Sequence, residues 1–63
     1  MKEKLFNSIM NTIEERAKTK DEIEAIVYGA FDVIYELLDY NSYTELFEEV
    51  QAKVEELYDV YVF

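Results

Sequence analysis

The stretch EIEAIVYGAFDVIYELLDY, residues 22–40, decides the fold. Its side chains Ile23, Ile26, Val27, Ala30, Ile34, Leu37 and Leu38 recur at i, i+3, i+4 and i+7, the spacing of one helix face. Val33 and Phe31 fall at the two edges of that stripe, and Tyr28 and Tyr35 lie just beyond Phe31. So broad an apolar arc needs more than one neighbouring helix to cover it. Thr19 followed by Glu22 fits a capping box, in which side chains at both ends of the first turn satisfy each other's free backbone N–H groups.

Outward from this stretch, Leu5, Phe6, Ile9, Met10, Ile13 and Ala17 share one arc of an upstream helix, with Asn7, Asn11, Glu14 and Glu15 opposite. Glu14 and Lys18 are spaced to pair along it. Downstream, Ser42 and Glu45 form a second capping-box pattern, opening a helix with Tyr43, Leu46, Phe47, Val50, Val54, Leu57, Tyr58 and, past its end, Tyr61 on its apolar face. No proline and a single glycine leave almost nothing to interrupt these periods. The reading is one all-α domain over residues 1–63, an antiparallel three-helix bundle with helices at 3–17, 21–39 and 43–59. Short loops make successive helices antiparallel neighbours and wedge the central helix between the other two. Ile26, Ala30, Ile34, Leu46, Val50 and Leu57 are expected at the centre of the core. The apolar tail 60–63 is expected to fold back over an open end of it. Ala25 and Gly29, one turn apart on the outer side of the central helix, suit close approach by a second chain.

Sixty-three residues suffice for one small core, with neither Cys nor His to staple it by disulfide or zinc. The net charge is −9, and it is unevenly placed. Residues 1–20 hold five bases and three acids, whereas residues 21–63 hold twelve acids and only Lys53. Direct binding to nucleic acid or to an anionic membrane needs a positive field and is disfavoured; a basic partner is favoured. No secretory signal pattern and no membrane-length apolar run occur, so a cytoplasmic location is expected.

Catalytic and metal chemistry find little support in the residues. Hydroxyls sit in caps and turns with no His or Cys nearby, so no nucleophile has its base. The turn at Asp39 does not match a calcium loop, since the glycine position is Thr44 and the bidentate-Glu position is Val50. The Glu-x-x-His pairs of a di-iron bundle are also missing. No enzyme, no metal and no cofactor are expected.

The acids themselves are ordered. Glu45, Glu48, Glu49, Glu55, Glu56 and Asp59 fall in one arc of about 120° on the third helix, opposite its core stripe. Fourteen steps at about 1.5 Å give one charge per ~3.5 Å of axis, close to the ~3.4 Å spacing along one strand of duplex DNA. Asp32, Glu36 and Asp39 extend the field onto the central helix, with Tyr40 and Tyr43 beside it at the turn. These acids, with Tyr40, are the candidate partner-binding residues.

A very short, strongly acidic, Cys-free, Tyr-rich helical chain of this character resembles the small inhibitors encoded by phages and mobile elements, including anti-CRISPR and anti-restriction proteins that mimic DNA. The resemblance implies a protein of the host cytoplasm that blocks the nucleic-acid groove of a basic nucleic-acid-binding protein, such as a Cas or restriction enzyme, through carboxylates facing Lys and Arg. The alternative is a helical homo-oligomer, a homodimer for example, or a structural or regulatory subunit, docking through apolar helix surface. A third account makes the acids a solubilising surface only.

Overall fold

The computed structural model describes residues 2–62, in three helices: α1, Lys2–Arg16; α2, Lys20–Ile34; and α3, Tyr40–Tyr58. Among the described residues there is no strand. The expected all-α three-helix bundle is the architecture found.

α1 buries Ile9 and Ile13 and ends at Arg16, so Lys18 lies beyond the helix. The expected Glu14–Lys18 pair does not form among the described residues. Lys18 instead contributes its backbone N–H, which donates to Glu22 Oε1 at 3.0 Å. Thr19 caps α2 as its sequence indicates: its hydroxyl oxygen accepts from the Glu22 backbone N–H at 3.2 Å and its hydroxyl donates to the Glu22 carboxylate at 3.3 Å.

α2 stops at Ile34, about one turn short of the expected end. Beyond it the backbone tightens: the N–H groups of Glu36 and Leu37 donate three residues back, to Val33 and Ile34, at 3.2 and 2.8 Å. The reason lies in Asp39, which caps α3 in place of Ser42. Its carboxylate accepts from the Ser42 backbone N–H at 3.2 Å, so α3 starts at Tyr40 and the turn must be finished by then. Aspartate caps a helix as well as serine does. Glu45, expected to complete the second capping box, is released to pair elsewhere.

The core is built from Ile13, Val27, Leu46, Val50 and Val54, all fully buried, with Ile9, Ile23, Phe31 and Ile34 around them. Burial of such side chains contributes roughly 1.5–3 kcal/mol each. Three expected core positions are corrected. In α2 the buried set Ile23, Val27, Phe31 and Ile34 is rotated roughly 35° from the expected stripe centre. Phe31 therefore becomes core, while Ile26 and Ala30 are only half-buried and Val33 and Leu37 are exposed. In α3 the buried row Leu46, Val50, Val54 advances in steps of four, drifting about 40° per step toward Tyr58 and leaving Leu57 outside.

The order of layers also differs from expectation. α1, not α2, packs along both of the other helices. α2 and α3 meet through aromatic rings, with Phe31 edge-on to Tyr43 at 5.5 Å and to Phe47 at 5.1 Å. Rings of this bulk hold the two axes apart, whereas the smaller Ile9 and Ile13 let α1 settle between them. Lys2, at the start of α1, reaches the first half of α3, so these two helices run the same way, antiparallel to α2.

The tail folds back as expected. Asp59 ends α3 in the left-handed region, with φ 56° and ψ 40°, a conformation Asp enters more readily than most residues. Val60 and Val62 then turn inward and Tyr61 outward. The Val62 N–H donates to Gln51 Oε1 at 3.0 Å, and its carbonyl accepts from the Tyr28 hydroxyl. This clasp joins α2 to α3 across the opening at that end. The part of the expected tail at residue 63 lies outside the described residues.

Candidate functional site

Every candidate partner-binding residue is exposed: Asp32, Glu36, Asp39, Tyr40, Glu45, Glu48, Glu49, Glu55, Glu56 and Asp59. Leu46, Val50 and Val54, buried on the opposite side of α3, fix which way its acids point. The six carboxylates of that helix therefore share a rigid outer face.

They are not equivalent. Lys2 crosses from α1 to pair with Glu45 at 2.8 Å and Glu49 at 3.7 Å, and Lys53 pairs with Glu56 at 3.5 Å. Glu49 and Lys53, four residues apart on α3, thus each pair with another residue. Among the described residues, Glu48, Glu55, Asp59, Asp32 and Glu36 carry no ion pair. Exposed pairs such as Lys2–Glu45 are weak and screened by salt, and the lysines can be displaced by a partner's cations.

Two charged groups are shifted by this arrangement. The Lys2 ammonium is held above its usual value of 10.5, first by its hydrogen bond to Glu45 and then by the nearby charges of Glu45 and Glu49. Asp39 is held below its usual 3.8, because Ser42, through its side chain first and its backbone second, hydrogen-bonds the ionised carboxylate. Asp39 thus belongs both to the acidic face and to the frame of α3.

Compared with protein families, with curated proteins and with solved structures, the chain matches none.

Clefts among the described residues interrupt the surface. One, of about 230 Å³, is lined by Tyr35, Leu38, Tyr40 and Tyr43 at the turn between α2 and α3. Another, of about 280 Å³, lies along α3 between Glu48, Gln51, Glu55 and Tyr61. Sequence reasoning named Tyr40 and placed Tyr43 beside it but missed Tyr35 and Tyr61. An excess of tyrosine, six in 63 residues, was the available signal. Its positions become meaningful only once the turn and the tail are folded.

Among the described residues no group of three or more acids is drawn together in a way that could hold a metal ion. No helix there is long and apolar enough to cross a membrane.

Proposed function

We propose that this chain is a non-enzymatic inhibitor that binds the basic, nucleic-acid-binding surface of a partner protein in the manner of a DNA mimic, as anti-CRISPR and anti-restriction proteins do. The observation that carries this reading is the rigid outer face of α3, six carboxylates on one arc, with Glu48, Glu55 and Asp59 unpaired among the described residues. The six acids span about 21 Å of the α3 axis, Glu45 to Asp59, which matches about six nucleotide steps of one DNA strand. A groove shaped for regular negative charge would find its Lys and Arg satisfied along that length.

The test is displacement of labelled duplex DNA from a basic nucleic-acid-binding protein. The protein is first captured from bacterial lysate, and displacement is then measured at low and high salt with the parent and with a triple variant, Glu48→Gln, Glu55→Gln and Asp59→Asn. The parent should displace DNA with an affinity that falls steeply as salt rises, and the triple variant should be weakened with a shallower salt dependence. Equal affinity and equal salt dependence in both would sink the mimicry reading.

A second reading has one specific observation behind it. Ala25, Gly29 and Val33 lie four residues apart on an exposed edge of α2, and nothing stands within 4 Å of a Cβ built on Gly29. That edge would admit a close-packed helix from another chain. Docking there should hold or strengthen with salt, the opposite of the acidic face.

A further inference from the structure

We propose that the cleft formed by Tyr35, Tyr40 and Tyr43 is an aromatic cage that receives an arginine side chain of the basic protein partner. This rests on the reading of the chain as a binder of basic protein surface and adds a specific anchor to it.

The cleft is built rather than incidental. Tyr43 is half-buried and fixed from behind, edge-on to Phe31 at 5.5 Å and tilted against Phe47 at 6.0 Å. Tyr35 stands perpendicular to it, with centroids 5.7 Å apart and an interplanar angle of 89°. These two walls at a right angle, with Leu38 and Tyr40 lining the remainder, form a half-open cleft of about 230 Å³. A cavity of ~150 Å³ takes up a benzene molecule, so a guanidinium fits. Tyr35 and Tyr40 are 68% and 79% exposed, leaving ring faces uncovered for a ligand to stack on.

Charge decides which ligand. From Asp21 to Ala52 the chain has nine acids, Asp21, Glu22, Glu24, Asp32, Glu36, Asp39, Glu45, Glu48 and Glu49, and no Lys or Arg. Glu36 follows Tyr35 directly, and Asp39 lies between Leu38 and Tyr40, so the cage sits within a negative field. Lys2, which reaches the first half of α3, is engaged by Glu45 and Glu49. A second copy of the chain would bring another charge of −9 to the same place, which opposes self-docking. A cation is the complementary occupant, because the ring faces carry the negative part of the aromatic quadrupole. Arginine fits better than lysine: its planar, weakly hydrated guanidinium stacks on a ring while its N–H groups remain free for carboxylates at the edge.

The experiment uses hexa-arginine and hexa-lysine peptides, equal in charge, titrated into the full chain by calorimetry at fixed ionic strength. Hexa-arginine should bind at least about fivefold tighter, the equivalent of one added cation–π contact. Tyr35→Leu with Tyr40→Leu should abolish that preference while leaving hexa-lysine binding unchanged. Tyr40→Leu alone, at a highly exposed position, serves if the double variant does not fold. In the parent, Tyr35 and Tyr40 ring-proton resonances should move on adding hexa-arginine and stay in place with hexa-lysine. Equal affinity for the two peptides, a preference that survives the tyrosine variants, or static ring resonances overturns the cage and leaves the acidic-surface reading standing. Binding of neither peptide overturns both.

Discussion

Phe31→Ala is the substitution most informative about how this bundle holds together. Phe31 is 3% exposed and meets both Tyr43 and Phe47 edge-to-face, so the change removes a core ring and two ring contacts together. Truncating a buried Phe costs about 3–5 kcal/mol. A domain of 63 residues has roughly 3–9 kcal/mol of total stability at typical per-residue values. The variant should therefore lose about half its stability or more and unfold some 15–30 °C lower. Urea unfolding followed by far-UV circular dichroism measures it, with Leu57→Ala as the control, because Leu57 lies 55% exposed on the sequence-expected core face. Leu57→Ala should cost less than about 1 kcal/mol, as surface truncations do. If Phe31→Ala cost less than about 1 kcal/mol, the rotated stripe of α2 would be wrong; if Leu57→Ala cost as much as Phe31→Ala, the drift of the α3 row would be.

Three other outcomes are expected. Gly29→Ala should stabilise the fold by roughly 0.5–1 kcal/mol, since Gly29 is helical with no neighbour in the way, and thermal unfolding measures it; a loss of partner binding in the same variant would favour docking on that edge. Lys2 titrates above 10.5 in the folded chain, so its pairing stabilises below that pH and is lost as pH rises through the folded value. The melting-temperature gap between parent and Lys2→Met should then be steady from neutral pH to about 10 and close above it. Asp39 has the opposite sign: its contribution is present above 3.8 and is lost as pH falls through its lowered folded value. Asp39→Ala should lower the melting temperature at neutral pH and converge with the parent in strong acid, whereas Asp39→Asn, which can still cap, should retain most of the helix stability.

Helix number and type were legible because the apolar periods run almost without a break, and Thr19 could be recognised as a cap because Glu22 follows at the right spacing. The α2–α3 turn was harder. Asp39 and Ser42 are both good caps, and which one wins depends on where the chain must reverse, a property of the packed bundle. The stripe of α2 was too broad to show its own centre, and only the aromatic contacts with α3 turn it toward Phe31. Of the candidate site, the acids could be placed on one face by helical arithmetic. Their unequal pairing could not, because Lys2 and Glu45 are 43 residues apart in sequence. The tyrosine cleft was hidden for a different reason: its walls lie within nine residues of one another, but the turn that brings Tyr35 against Tyr43 begins earlier than the expected end of the central helix.

The clasp at Val62 bears on the order in which the chain assembles and comes apart. Its hydrogen bonds reach back 11 residues to Gln51 and 34 to Tyr28, and the second cannot form until α2 and α3 already lie side by side. Loop closure of that length is disfavoured early, which makes the clasp a late event in folding and the first segment to open. Native-state hydrogen exchange should then show the Val62 amide exchanging through a small local opening, well before the α3 amides near Leu46 and Val50. Each such opening uncovers the valine-lined end of the core without melting a helix, and it moves Tyr61 and the wall it gives to the cleft along α3.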